Sequence, residues 1–449
     1  MDIKDIPRVS QVRDDAEKLL KQVDDNIWFD LDKMYIVKGA ENRETYLNNY
    51  SYYEECGHKK KISYTSVIFL SSLNCNLKCK YCYAGDGRYG ENHNNRNFDF
   101  DRYKTTFIKL TNKYGKIGSI NFFGGEPLLN FTEIKKFVSY LFDNYGYEDI
   151  PKLSIGSNGT ILNDEIKEFI NKYNIAFGTS IDGTKDLNDK NRIGNYDSVY
   201  DTVVDNLHKL NDTRLLKSAQ ITVTKDHIEN YRKGDVFKWC NEIEKLQLDI
   251  FEVAPVASED DRFKIDLSNE IIFKNYYQFC QDYSEYCISK FRSNELGSMP
   301  RIAISTLTRI MKREYLNSCS AGYSVSVTPD LMVYPCHSFS DEKKYGVRLD
   351  DFVDNDGEEC NPYFIKIKNY SKETCSKCTD CISKSACSYW CKRFEPKNEI
   401  MSLELRCILF KTITENLIKF LVYEYQNYRE TVLNKIHYYN GDMNYEYKT

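Results

Sequence analysis

The sequence contains no apolar run of about 18 residues, the length that a helix needs to cross a membrane, so a helical membrane span is excluded. Its opening stretch, MDIKDIPRVSQVRDDAEKLL, is charged and lacks the apolar core of a secretory signal, and a cytoplasmic location is the expectation. Positive charge is not in excess. The 62 Lys and Arg stand against 67 Asp and Glu, a formal net charge of −5, so composition makes no case for nucleic acid as a partner. There is no internal repeat and no low-complexity linker. Cysteine is missing from residues 83–239, although the chain has 16 of them.

What is present reads as a soluble globular protein of 449 residues, 41% hydrophobic and 29% charged, long enough for one large core with one or two appendages. Three of the cysteines fall at 75–82 and nine between 319 and 407, while Cys56, Cys240, Cys280 and Cys287 are scattered. In a reducing cytosol, clustered cysteines hold metal or do redox chemistry more often than they form disulfides. The scattered ones read as buried thiols.

From residue 65 the pattern becomes regular. Apolar runs at Val67–Leu70, Ser119–Phe123, Lys152–Ile155, Ala176–Ile181, Ala219–Val223 and Ile250–Val253 alternate with amphipathic stretches near 100–113, 131–143, 163–173, 197–210 and 232–246. Repeated βα units imply a parallel sheet with right-handed crossovers. Six of them suit a partial (β/α)6 TIM-like barrel, an α/β fold whose chemistry sits at the C-terminal ends of the strands. Helices are expected at 268–292, 300–313 and 408–436, the last dozen or so residues forming a loose tail. Before residue 65 the only regular feature is a possible hairpin of Ile27–Phe29 with Met34–Val37.

The segment FLSSLNCNLKCKYCYAGDG follows the first expected strand and carries Cys75, Cys79 and Cys82. Spacings of four and three let one short loop wrap three corners of a cuboidal cluster. An electron-transfer cluster has four cysteine ligands, so three leave one iron open to a cofactor. The alternative is a zinc site completed by His58 or His93. Gly124-Gly125-Glu126-Pro127 ends the second strand, Ser157-Asn158-Gly159 the third, and Ser180-Ile181-Asp182-Gly183 the fourth.

Cys75-x3-Cys79-x2-Cys82, with Tyr81 before the last cysteine, resembles the signature of the radical S-adenosylmethionine (SAM) superfamily, and the Gly-Gly-Glu-Pro turn falls where that family has it. The resemblance implies that the open iron binds the amino and carboxylate groups of SAM. It implies that a reduced 4Fe–4S cluster cleaves SAM to methionine and a 5′-deoxyadenosyl radical, and that this radical takes hydrogen from a substrate. Tyr81, Gly124, Gly125, Glu126, Ser157, Asn158 and Ser180 become cofactor-binding candidates, with Glu126 offered to the SAM ammonium. Arg192 resembles the arginine that neutralises the SAM carboxylate, against the reading of a solvated surface arginine. Asp182 is a candidate catalytic base, or else a helix cap.

The later field, KETCSKCTDCISKSACSYWC, contains Cys378-x2-Cys381-x5-Cys387-x3-Cys391, with Cys407 downstream and Cys319 and Cys336 upstream. It resembles the SPASM extension of radical SAM enzymes, which carries auxiliary 4Fe–4S clusters. Carried over by position, Cys378, Cys381, Cys387 and Cys407 hold an outer cluster, and Cys319, Cys336 and Cys391 an inner one. The resemblance thus implies three 4Fe–4S clusters in all. The inner cluster takes Cys360 or Cys375 as a fourth ligand, or leaves an iron open to a substrate thiolate. A zinc ribbon of Cys375, Cys378, Cys381 and Cys387 is the alternative. Leu331 stands where the family usually has glycine.

The domain boundaries expected are 1–64 for an N-terminal extension with a reduced or absent leader-binding element, 65–313 for the barrel, 314–410 for the SPASM domain and 411–449 for a C-terminal helix and tail. SPASM enzymes act mostly on peptides or proteins, and the segments CYAGDGRYG and VTPDLMVYPCHSF are most similar to thioether-forming peptide maturases. The resemblance also implies a flavodoxin- or ferredoxin-type reductant. Alternatives are a sulfatase maturase that makes formylglycine, with Asp182 as base, and a maturase that makes carbon–carbon or carbon–oxygen cross-links. A non-catalytic iron–sulfur carrier or zinc-stabilised binding module is the reading from a different class.

Overall fold

The structure is a computed structural model and describes residues 9–55, 66–90, 93–211, 213, 215–258, 260–315, 319–354, 361–388, 391–394 and 400–443. Cys56, His58 and Cys360 lie outside the described residues.

Three antiparallel strands open the fold: β1 (Leu20–Asp24), β2 (Ile27–Asp30) and β3 (Ile36–Lys38), flanked by helices Val9–Leu19 and Ala40–Asn48. This is more than the single hairpin the sequence suggested. The extra strand, LKQVD, begins at the end of a helix and is mostly polar, so it carries no alternation to read. Ile27, Phe29, Leu31 and Met34 of this unit pack with Ile310, Ile382, Ala386 and Ile418 into one apolar cluster. The N-terminal segment is thereby tied to the cysteine-rich segment and to the C-terminal helix.

The six expected barrel strands all form: β4 (Ser66–Ser72), β5 (Ser119–Gly124), β6 (Lys152–Gly156), β7 (Ala176–Ser180), β8 (Lys217–Val223) and β9 (Ile250–Pro255). They lie side by side in chain order, every pair parallel. The two-residue β10 (Met299–Pro300) adds in parallel to β9. On the other edge β11 (Val325–Val327) pairs in parallel with β4, and β12 (Met332–Tyr334) and β13 (Val347–Arg348) follow antiparallel. The sheet therefore runs to ten strands, and the cysteine-rich segment supplies one of its edges.

Alternation along the strands sets two environments. Val67, Phe69, Ile120, Phe122, Leu153 and Ile155 are buried against the outer helices. Phe69 meets Phe98, Tyr103 and Phe137 at ring-centroid distances of 5.2, 5.0 and 5.8 Å. Each such fully buried ring contributes on the order of 2–3 kcal/mol. Of the intervening residues Asn121, Ser154, Gly156, Gly178 and Ser218 are small or polar, while Ile68 and Phe123 are apolar and pack with Leu70 and Tyr89. Gln220, in the middle of β8, is exposed, so the interior is open to solvent there.

The expected C-terminal helix differs at both ends. It starts at Ile400, takes in Cys407, and stops at Tyr423; a second helix, Tyr425–Met443, continues through much of the expected tail. No glycine or proline marks the break. The first helix lies along helix Glu270–Arg292, with Tyr276 Oη donating to Leu405 O at 2.7 Å and Phe291 stacked on Phe420. Cys240, Cys280 and Cys287 are fully buried, as ordinary core thiols. Among the described residues, no helix is long and apolar enough to cross a membrane.

The hairpin between β11 and β12 turns at Thr328–Leu331, where the Leu331 amide donates to Thr328 O at 2.9 Å. Leu331 has φ +58. The turn that glycine usually makes is thus kept, with leucine held in the left-handed region at a cost of about 1–2 kcal/mol. The apolar side chain packs against the barrel core.

Candidate functional site

The loop after β4 carries Cys75, Cys79 and Cys82 to the C-terminal end of the sheet and is stitched down on two sides. The Gly125 amide donates to Ser72 O and the Glu126 amide to Asn74 O, both at 2.8 Å. Lys78 N donates to Ile193 O at 2.6 Å and Lys80 N to Asn191 O at 2.9 Å, joining the loop to the segment that bears Arg192. A Cβ at Gly87 would lie 2.7 Å from both Cys75 Cβ and Gly125 Cα. The glycines at 124 and 125 allow the same close approach, and what they approach is the chain's own loop backbone.

Glu126 is fully buried and faces inward. Its carboxylate accepts from Leu128 N at 3.0 Å, Ser157 Oγ at 2.9 Å and Asn158 N at 2.7 Å. Burial pushes its pKa up to about 7, against those three donors. Glu126 braces the ends of β5 and β6 with three of its roughly four acceptor sites and keeps one on Oε2. Asn158 also directs its amide to Asn76 Oδ1 at 2.8 Å and lies 3.7 Å from Cys75 Sγ. Asn76 in turn donates to Thr160 Oγ1 and Tyr196 Oη. Ser180 ends β7 beside Gln220.

Arg192 is 5% exposed, which overturns the reading of a solvated surface arginine. Its Nε lies 3.3 Å from Asp182 Oδ2, its guanidinium sits 5.6 Å from the Tyr81 ring centroid, and its Nη1 reaches within 4.0 Å of Cys79 Sγ. Asp182, with no exposure, also accepts from Tyr81 Oη at 2.6 Å and Thr222 N at 3.1 Å. It caps no helix; the following helix, Lys185–Asn191, has Thr184 at its N-cap. His93 is turned away from the cysteine loop, with Nδ1 3.2 Å from Asp330 Oδ2 and Nε2 3.0 Å from Tyr89 O. It does not complete a zinc site there.

The thiols respond to this setting. Burial raises the pKa of Cys75 and pushes Cys79 up to about 12 despite the pull of Arg192. Binding a metal group here therefore releases protons. Near the strand ends the buried atoms without a hydrogen-bond partner include Asn121 Oδ1, Thr179 Oγ1 and Asn191 Oδ1. A cluster-bound cofactor with a carboxylate and hydrogen-bonding groups fits the three thiols, the guanidinium beside Cys79 and these polar atoms. No signal in the sequence singled out Asn76 or Gly87; the latter is one glycine among 21.

The later cysteines separate into two sets. Cys378, Cys381, Cys387 and Cys407 line one cavity. Cys375 contacts Cys378, on that side. Cys391 donates to Cys319, lowering the Cys319 pKa and raising that of Cys391, and Cys336 lies within electrostatic reach of both. Cys336 is followed by His337, whose Nδ1 is 3.5 Å from Cys336 Sγ and whose ring lies 5.1 Å from Phe123 and 5.8 Å from Tyr83. Tyr83 feels both Cys82 and Cys336. The second set thus borders the barrel mouth and the first loop. Among the described residues, no group of three or more His, Cys, Asp or Glu is placed to hold a single metal ion. The four-cysteine cavity has the donor chemistry of a larger iron–sulfur body.

Residues 70–232 match the family model of the radical SAM superfamily. These residues form a radical SAM domain, and the chain is an enzyme. SAM and a 4Fe–4S cluster are the cofactors of that family. The chain is 24% identical over 383 residues to a cysteine-type anaerobic sulfatase-maturating enzyme of Clostridium novyi, covering 80% of this chain and 97% of that one. It is 22% identical to the radical SAM cyclopropyl synthase TigE of Paramaledivibacter caminithermalis, over 79% of this chain and 74% of that protein. An uncharacterised protein of Methanocaldococcus jannaschii is 44% identical over 123 residues, which span 27% of this chain and 40% of that protein. Among solved structures, native anSMEcpe with bound AdoMet superposes with a TM-score of 0.63 at 19% identity, covering 82% of this chain and 99% of that one. Streptococcus suis SuiB superposes at 0.51 and 16% identity, over 78% and 77%. These likenesses show the shared fold.

Proposed function

We propose that this radical SAM enzyme modifies a peptide and joins a cysteine sulfur to a neighbouring residue as a thioether. In this reading Cys75, Cys79 and Cys82 ligate the SAM-binding cluster, and Cys378, Cys381, Cys387 and Cys407 ligate an outer auxiliary cluster. Cys319, Cys336 and Cys391 ligate an inner one. When bound, SAM and its cluster supply a 5′-deoxyadenosyl radical that takes a substrate hydrogen. A flavodoxin- or ferredoxin-type protein supplies the electron.

The chain's own residues hold the parts. Arg192, braced by Asp182 through Nε and lying against the Tyr81 ring, offers its remaining donors to the cofactor carboxylate. Glu126 fixes Ser157 and Asn158 and thereby the floor under Cys75. Gly124, Gly125 and Ser180 line the strand ends that face the cofactor. The barrel must place the target C–H close to the radical and exclude other donors.

One observation carries the thioether reading. The inner set borders the barrel mouth, and Cys375, which shares an apolar cluster with Cys319 and Cys391, makes its hydrogen-bond contact with Cys378 instead. In this reading the inner cluster keeps an iron open to a substrate thiolate rather than taking Cys360 or Cys375. The formylglycine reading is favoured by the likeness to the Clostridium novyi sulfatase-maturating enzyme over most of both chains. A solved relative holds AdoMet and a Cp18Cys peptide, which supports a peptide as substrate for either reading.

A single incubation separates the two. Reconstituted enzyme, reductant and SAM are mixed anaerobically with cysteine-containing peptides and the products are mass-analysed. The thioether reading expects loss of two hydrogens with sulfur retained and a thiol that no longer alkylates. An aldehyde product without sulfur would replace it with formylglycine formation.

A further inference from the structure

Each later cysteine set has one buried lysine beside it, in the same kind of nest. Lys372 is 1% exposed; its ammonium donates to Lys384 O at 2.8 Å and Cys387 O at 3.1 Å and sits 5.4 Å from the Tyr315 ring centroid. Its side chain forms part of the wall of the cavity shared by Cys378, Cys381, Cys387 and Cys407. Lys392, also 1% exposed, donates to Lys368 O at 2.6 Å and Ala321 O at 3.1 Å and sits 5.5 Å from the Tyr323 ring centroid.

An ammonium has three donors, and two backbone carbonyls fix its position without neutralising it. A buried cation without a counter-charge costs several kcal/mol. Lys372 shares its cavity wall with Cys378, Cys381 and Cys387, and Lys392 follows Cys391 directly and holds the carbonyl of Ala321, two residues after Cys319; among the described residues neither ammonium is paired with a carboxylate. Thiolates around an iron–sulfur body would supply the missing negative charge. The benefit grows when that body gains an electron, because attraction in a buried site is weakly screened.

We propose that Lys372 and Lys392 are positioning residues, each fixing a positive charge beside one auxiliary cluster and raising that cluster's reduction potential. This rests on the reading that the two sets hold clusters. Net charge around a cluster is one of the levers that set its potential. Arg309, which donates to Ala386 O at 3.4 Å and is within reach of Cys387, adds to the outer field.

The test is a potentiometric titration of the reconstituted full chain followed by electron paramagnetic resonance, with iron counted in every sample. Lys372→Met is expected to shift one auxiliary midpoint to more negative potential and leave the other in place; Lys392→Met should do the reverse. Lys372→Gln and Lys392→Gln, which keep a donor and lose the charge, should shift the same midpoints in the same direction. Unchanged midpoints, or glutamine variants that restore the wild-type values, would overturn the proposal in favour of hydrogen bonding alone. Loss of the local cluster in both variants of one lysine would also overturn it and make that lysine a structural staple. A wild-type count of about four irons per chain would instead remove the cluster reading on which the proposal stands.

Discussion

Arg192→Met is expected to destabilise the barrel by about 3–5 kcal/mol, the usual result of removing one partner of a buried ion pair. Asp182 would be left charged with no exposure, held only by Tyr81 Oη and Thr222 N. Asp182→Asn should cost a similar amount, since Arg192 would lose its counter-charge while 5% exposed. The double variant Asp182→Asn/Arg192→Met removes both charges and is expected to recover most of the loss. Urea unfolding followed by tryptophan fluorescence measures this. Trp239 lies 4.9 Å from the His227 ring, and His227 Nε2 is 3.3 Å from Asp182 O, so the reporter is close to the pair. Strictly additive losses would show that the two side chains do not act on each other. The recovered double variant should still fail to bind SAM, which separates the role of Arg192 in folding from its role toward the cofactor.

The second large effect concerns iron. Anaerobic reconstitution is expected to load about 12 irons per chain, from three 4Fe–4S clusters. Cys378→Ala/Cys381→Ala removes two walls of the four-cysteine cavity and should lower the count to about 8. Because the C-terminal helix enters this region through Cys407 and packs on the barrel helices, the same variant should also unfold at lower temperature. A count of about four with zinc present would favour the ribbon of Cys375, Cys378, Cys381 and Cys387.

Much of this architecture is legible before any coordinates. The six strands announce themselves because each is a short apolar run between amphipathic helices, and parallel order follows from the crossovers. The cysteine loop and the Gly124–Pro127 turn are local signals whose register the fold preserves. What the sequence hides is which groups meet. Glu126, offered to an ammonium, is also held by Leu128, Ser157 and Asn158. Arg192 sits among polar residues, so its burial depends on Asp182 and Tyr81, ten and more positions away. Strand β1 is polar, and β11–β13 are two or three residues long, too short for a period. Nothing local reveals that backbone carbonyls from residues 321, 368, 384 and 387 enclose Lys372 and Lys392.

The most direct measurement is release of 5′-deoxyadenosine. Reconstituted wild-type protein, kept anaerobic with dithionite and SAM, is expected to produce 5′-deoxyadenosine and methionine in equal amounts. The Cys75→Ala/Cys79→Ala/Cys82→Ala variant should produce none above the protein-free rate. Undiminished release from the triple variant would contradict the assignment of SAM cleavage to this loop.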